Sequence, residues 1–446
     1  MNAPMDDPPD ATAAAFRAQA LAASQRGDDA LAEQAFSRLL ELQPDDADAL
    51  LFLASRQLGR GDAVRATEWL RAAQRARPQD AAILHQLGAA QVLAGDLRGA
   101  EQSLREGLAL APGMFVARLR LGVVYEQQGR RHEAMTAYLG AINAAQANGR
   151  WLSDETTAPG LRDAVKHATQ YVAAGRRELF DAVIEPLRQR YGRTELARVD
   201  ACLAIYLHER PAPLPDPRQR PKFLYFPGIP SQPFYPRERF PEQARLEAAV
   251  DVVREELRAV LSDAHERLVP FLGAPSAEAV AAKLLNSTGA AEAAWDAFFF
   301  YRHGVRYDAN CARCPRTSAL LDAMPLVRVR DHAPETLFSV LRPGTHILPH
   351  CGVTNTRLVT HLPLIVPPDC ALRVGGQTHA WEEGRCVTFD DTFEHEAWNR
   401  SGQTRVVLIM DSWNPDLSEV ERMAVADLVA AIGDFNQSVP EPLAHP

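Results

Sequence analysis

Apolar and small residues recur at helical spacing from about residue 11 to 148, and the pattern repeats itself every 34 positions. Gly27, Gly61, Gly95 and Gly129 are in phase, as are Ala32, Ala66, Ala100 and Ala134, and Pro44, Pro78 and Pro112 keep the same step. Each unit predicts a helix, a turn eased by glycine, a second helix and a proline that cannot continue it. The in-phase alanine keeps a small side chain where paired helices approach, and Leu53-Ala54, Leu87-Gly88 and Leu121-Gly122 do the same on the first helix. From 158 to 208 helical spacing persists without the period, through Leu161, Val165, Ala168, Tyr171 and Val172, then Leu179, Val183, Ile184 and Leu187. These stripes predict capping helices over 149–210 that close the exposed end of the array.

Prolines crowd 211–241, interleaved with Phe223, Tyr225, Phe226, Phe234, Tyr235 and Phe240. A free tether lacks aromatics, so this junction is expected to lie extended on a domain surface, with the domain boundary near 210. Leu246, Val250, Val253, Leu257 and Leu261 predict an amphipathic helix over 242–262. A helical or mixed region to about 295, a polar loop over 302–315 and a short helix near 320–324 are expected next. The pattern then changes to short runs of Val, Leu, Ile, Thr and Phe broken by Gly, Pro and Asp. These predict strands at 326–330, 336–342, 346–349, 356–366, 370–374, 377–381, 385–389 and 404–411, with Glu383-Gly384 as a hairpin turn. A helix over 417–431 closes the chain. Eight short strands with tight turns predict a double-stranded β-helix, that is, a jelly-roll, cupin-like domain with flanking helices. The expected fold class is multidomain α plus β, divided as 11–148, 149–210, 211–241 and 242–446.

The 34-residue unit resembles the tetratricopeptide repeat. The resemblance implies an α-solenoid whose concave groove takes an extended peptide or a partner protein.

Composition narrows the class. Across 446 residues the formal charge is −9, which argues against a nucleic-acid partner. The longest apolar runs fall short of the roughly 20 residues that span a bilayer, so no membrane insertion is expected. The start, Met1 to Asp7, lacks the basic and apolar parts of a signal peptide, and a soluble cytoplasmic protein is the expectation. Six cysteines are sparse for this length, and free thiols are the default in a reducing compartment. Cys311-Ala-Arg-Cys314 is a lone C-x-x-C, which leaves open structural zinc there with a nearby histidine, or a pair.

Candidate chemistry centres on two histidines. His350 lies in Gly344-Thr-His-Ile-Leu-Pro-His-Cys-Gly352, and His395 in Phe389-Asp-Asp-Thr-Phe-Glu-His-Glu396. Two imidazoles with open positions beside them suit non-haem Fe(II), whose usual third ligand is a carboxylate two residues after the first histidine. Gly352 stands there instead. On the residues alone, an iron pair and a coincidence of two histidines in a β domain both remain.

Several separated motifs, in order, resemble the aspartyl/asparaginyl β-hydroxylase family. They are Tyr225-Phe-Pro-Gly228, Pro349-His350-x-Gly352-x-Thr354-Asn355-x-Arg357-Leu358 with His361-Leu362, Trp381-Glu-Glu-Gly384, Phe389-Asp390-Asp391-x-Phe393-Glu394-His395-Glu396, and Asp411-x-Trp413-x-Pro415. The likeness covers about 220–430. That family has glycine at the position of Gly352, so the resemblance implies His350 and His395 as metal ligands and catalytic centre, with Fe(II), 2-oxoglutarate and O2 as cofactors. It further implies Ser339, His361 and Arg405 as 2-oxoglutarate contacts and Arg357 as a substrate contact. The family's second substrate arginine falls on Val359, with Arg302, Arg306 or Arg373 as candidates to compensate. The function implied is hydroxylation of an unactivated C–H, the β-carbon of Asp or Asn in a peptide or protein presented by the array. The alternatives are the same chemistry on a small molecule or acyl chain, and a non-catalytic scaffold with a degenerate barrel.

Overall fold

The computed structural model describes residues 9–262, 268–271, 284–287 and 293–439. It forms two compact units, one of residues up to Arg176 together with those from Phe435, the other of Arg177–Asp434. The boundary expected near 210 thus lies inside the second unit.

The first unit is the repeat array. Its helix pairs are α1 (Pro9–Gln25) with α2 (Asp29–Leu42), α3 (Ala47–Gly59) with α4 (Ala63–Ala76), α5 (Ala81–Leu93) with α6 (Leu97–Leu110), and α7 (Phe115–Gln127) with α8 (Arg131–Ala147). Asp28, Asp62 and Asp96 cap the second helix of three pairs by accepting from a backbone N–H three residues on. Gly27, Gly61, Gly95 and Gly129 all have positive φ, which L side chains adopt only under strain. The four in-phase alanines are fully buried. A Cβ at Gly122 would collide with the Tyr138 ring, and one at Gly88 with Leu104, so the small residues are dictated by helix approach. Apart from Leu161, the two apolar stripes after 158 belong to one 30-residue helix, α9 (Arg162–Tyr191), whose residues from Arg177 fall in the second unit.

The second unit begins with the end of α9 and α10 (Ala197–Tyr206), followed by the proline-rich junction. The junction is extended and packed, as its aromatics suggest. Leu224, Tyr225, Phe226, Ile229 and Phe240 are buried, and β1 (Phe234–Tyr235) joins a sheet edge. Asn355 holds the segment like a strand partner: its Oδ1 accepts from Phe226 N at 2.7 Å and its Nδ2 donates to Phe226 O at 2.9 Å. Helices α11 (Gln243–Ala248) and α12 (Val250–Ser262) fill the expected 242–262.

The remaining strands are β2 (Val269–Pro270), β3 (Leu285–Ser287), β4 (Trp295–Arg302), β5 (Val305–Arg306), β6 (Thr336–Leu341), β7 (Thr345–His350), β8 (Arg357–Ile365), β9 (Cys370–Val374), β10 (Gln377–His379), β11 (Val387–Phe389), β12 (His395–Asn399) and β13 (Arg405–Trp413). They form two antiparallel sheets, β1-β11-β8-β13-β6-β4-β2 with β5 on β4, and β10-β9-β12-β7-β3. Alternation assigns the faces of the larger sheet. Phe338, Val340, Leu362, Leu364, Val406, Leu408 and Met410 pack outward against α12, α13 (Asp308–Arg313) and α14 (Pro315–Asp322). Leu341, Val359 and Val407 turn the other way and share a core with Ile347, Leu372, Val374 and Ala397 of the smaller sheet. The chain ends in α15 (Glu419–Ser438).

Three expectations need correction. Residues 326–330 make only isolated bridges, from Leu326 to Ser412 and Val329 to Ala333. Glu383-Gly384 is not a hairpin turn, because β10 pairs in the smaller sheet and β11 in the larger. The hairpin on that stretch is β9–β10, turned by Gly375 and Gly376, both at positive φ. The polar loop over 302–315 holds β5 and α13, and β4, rich in Phe and paired with β6, begins where a helical or mixed region was expected to end. Part of that region, 272–283 and 288–292, lies outside the described residues.

Candidate active site

β7 and β12 are neighbours, and His350 stands directly opposite His395. Their ring centroids are 4.1 Å apart. Between this pair and the next, Ala397 opposite Ile347, β7 carries one extra residue. This bulge turns His350 to the face that Ile347 occupies, and both line one cavity. His350 Nδ1 lies 2.8 Å from Leu348 O and His395 Nδ1 lies 3.0 Å from Phe393 O. A carbonyl only accepts, so each Nδ1 carries the proton and each Nε2 keeps a free lone pair. Burial lowers both pKa values, that of His395 to about 3 with the neighbouring His350 adding to the effect. The pair is therefore neutral, the state that ligates a metal.

The cavity, of about 180 Å³, receives Arg357, Val359 and His361 from β8, Ser339 from β6, and Arg405 and Asp411 from β13. All the sequence-predicted site residues meet here. Arg405 and Ser339 arrive together because β13 and β6 pair in register, Arg405 opposite Leu341 and Val407 opposite Ser339. Arg405 is 1% exposed, and its only hydrogen bonds among the described residues are Nη1 to Ser339 Oγ at 3.3 Å and to Ser339 O at 3.4 Å. Its Nε has no partner among them, and burial lowers its pKa to about 10. Trp295 Nε1 donates to Ser339 Oγ at 2.9 Å. His361 is buried beside Phe389, its Nδ1 unpartnered among the described residues and its pKa held well below the ordinary value by burial and by Arg405.

Arg357 is engaged on both sides. Its Nη2 lies 3.1 Å from Asp391 Oδ2 and its Nη1 lies 3.0 Å from Asp411 Oδ1. Asp391, Asp411 and Glu335 are wall residues to which sequence reasoning gave no role, although Asp391 and Asp411 stand inside the motifs. Glu335 carries no sequence signal at all. The Asp391 carboxylate occupies the space a Cβ on Gly352 would need, and its Oδ1 has no partner among the described residues. A metal at the two Nε2 atoms would thus find a carboxylate close by, though not as part of a group of three ligands, none of which occurs among the described residues.

The three arginines that could have replaced the one missing at Val359 lie outside the cavity wall. Arg306 is tied to Asp308 and Asp322, and Arg373 to Glu396. The Arg302 guanidinium lies over the Phe299 ring and donates to Phe271 O. Cys311 and Cys314 are buried free thiols in the core between helices and sheet, Cys314 pushed up to about 12 by burial, and belong to no ligand cluster among the described residues.

Residues 247–415 match the family model for aspartyl/asparaginyl beta-hydroxylase, and residues 116–148 match a tetratricopeptide repeat. "Aspartate beta-hydroxylase domain-containing protein 2" is 32% identical over 231 residues in Homo sapiens, covering 51% of this chain and 58% of that protein. Its counterpart in Xenopus tropicalis is 31% identical over 228 residues, covering 50% and 57%. The Homo sapiens "Aspartyl/asparaginyl beta-hydroxylase" is 36% identical over 132 residues, 29% of this chain and 17% of that protein. The chain thus spans less than two thirds of the length of the curated relatives it matches. Residues 247–415 are an aspartyl/asparaginyl β-hydroxylase family domain, which this chain joins to an amino-terminal tetratricopeptide repeat region.

Proposed function

We propose that this chain is an Fe(II)- and 2-oxoglutarate-dependent oxygenase that hydroxylates an unactivated C–H bond of a peptide or protein engaged by the repeat array. On this reading the two antiparallel sheets are the faces of a double-stranded β-helix, and the cavity between them is the active site.

Arg405 carries the argument. A buried guanidinium without a carboxylate partner among the described residues is costly to fold, and an anionic ligand would repay the cost. The planar fork suits the distal carboxylate of 2-oxoglutarate. Ser339 Oγ already accepts from Trp295 and Arg405, so its own proton is left to donate to the same carboxylate. His361, uncharged and unpartnered at Nδ1, is placed for a further polar contact.

His350 and His395 would hold the iron through Nε2, their rings fixed by the Leu348 and Phe393 carbonyls. Two protein ligands would leave the metal open to the cosubstrate, O2 and water. An iron held there would supply oxidative chemistry in which 2-oxoglutarate and O2 become succinate and CO2, with one oxygen atom left for the substrate carbon. Phe271 and Trp295, stacked at 3.9 Å, help wall the cavity from water.

Against the non-catalytic scaffold stands the presence together of His350, His395, Ser339, His361 and Arg405 in one cavity. The deciding experiment follows succinate release under Fe(II) and air, with binding of 2-oxoglutarate to metal-loaded protein measured alongside. Succinate that requires both histidines supports the oxygenase. If metal-loaded protein binds no 2-oxoglutarate, the scaffold takes its place.

A further inference from the structure

One end of the cavity carries more negative than positive charge. Asp411 lies six residue steps along β13 from Arg405, roughly 20 Å of extended chain, so the two groups mark opposite ends. Asp411 faces Val359 across the sheet, and Glu335, just before β6, donates its backbone N–H to Asp411 Oδ2 at 2.9 Å. Around this end stand Arg357, Asp391, Asp411 and Glu335. The Arg357 guanidinium is spent on Asp391 and Asp411. Among the described residues, Glu335 receives only the backbone N–H of His303, at 3.0 Å, with that residue's Nδ1 at 3.1 Å. Burial and Arg302 lower the His303 pKa, so its ring brings Glu335 no charge at neutral pH. Arg302 is the next cation, but its guanidinium lies 4.6 Å over Phe299, outside the wall.

Resting on the oxygenase reading, we propose that Glu335 and Asp411 make this end a receptor for a cationic side chain, a protonated amine or guanidine, in place of an aspartate. At this end of the cavity a substrate carboxylate would be desolvated beside three others, with no unengaged cation there among the described residues. Val359 removes the charge that would have met it. A cation reverses every sign: it pairs with Glu335 and also holds that carboxyl ionised, which burial and then Asp411 otherwise raise to about 7.

The test uses the full chain loaded with Mn(II) and 2-oxoglutarate without O2. Three capped residues, N-acetyl-lysine amide, N-acetyl-asparagine amide and N-acetyl-aspartate amide, are titrated, and proton relaxation by the metal reports binding. The lysine probe should bind best, Glu335→Gln should weaken it by roughly tenfold, and Val359→Arg should shift preference toward aspartate. Tighter binding of the aspartate or asparagine probe overturns the proposal. So does a lysine probe that is not relaxed, or one whose affinity Glu335→Gln leaves unchanged while the variant melts like the parent. Binding of 2-oxoglutarate in the same samples reports separately on the oxygenase reading, and the ranking of probes on the unsubstituted chain stands even if a variant fails to fold.

Discussion

His350 and His395 face each other across two paired strands, and each is pinned through Nδ1 to the carbonyl two residues before it. The same local device thus sets both rings, and a bulge in β7 brings them to one face. Removing either ring should lower metal affinity by more than ~100-fold, since one remaining imidazole cannot chelate. Metal content after dialysis of His350→Ala and His395→Ala checks this without any knowledge of the substrate.

The buried His361 and the half-buried His350 and His395 should make the second unit acid-sensitive. The pKa values of His350, His361 and His395 all lie below the ordinary 6.5. Below that pH the unfolded chain binds protons that the folded chain refuses, so stability is intact above 6.5 and falls with falling pH. A buried ring such as that of His361 contributes up to about 2 kcal/mol of loss between pH 6.5 and 5, and a half-buried one less. Denaturant unfolding at the two pH values should show a smaller loss for His361→Gln than for the parent chain.

Arg405 is expected to trade stability for binding. Arg405→Met removes a desolvated charge and should stabilise the metal-free protein by about 1–3 kcal/mol. The same variant should lose 2-oxoglutarate binding. Thermal melts and cosubstrate titration, read together, check both signs, and a destabilised variant would contradict the account.

Gly352 cannot accept a side chain without displacing Asp391. Gly352→Ala should cost about 1–3 kcal/mol through overpacking. Gly352→Asp should meet the same obstacle and set a second carboxylate against the first. Unfolding curves and metal content of both variants check this.

Asn355 supplies both hydrogen bonds that hold Phe226 in the junction. Asn355→Ala leaves a buried N–H and a buried C=O unmet, a cost of about 2–4 kcal/mol. Asn355→Asp should also destabilise, since it turns an acceptor toward the Phe226 carbonyl. Urea denaturation of the three proteins gives the comparison.

Much of the chain was legible because local physics wrote it. A 34-residue period of glycine, alanine and proline reports turns, close helix approach and helix ends, each a property of a few neighbouring residues. The strand expected over 356–366 forms as β8, and its alternation brings Arg357, Val359 and His361 to the cavity. The motifs located both histidines. Spacing could not reveal the bulge that turns His350 inward, because it exists only against β12. Nor could it show that Glu383-Gly384 separates two sheets, since a turn signal says nothing about partners. Strand β4 was hidden because its identity rests on pairing with β6, not on its own pattern. The charge at the substrate end is the clearest case. Arg357, Asp391, Asp411 and Glu335 are up to 76 residues apart, and only the folded sheets decide that the arginine is already neutralised. Sequence determined the elements and the chemical groups; tertiary structure decided which charges compensate one another, because electrostatics depends on distance through space and not along the chain.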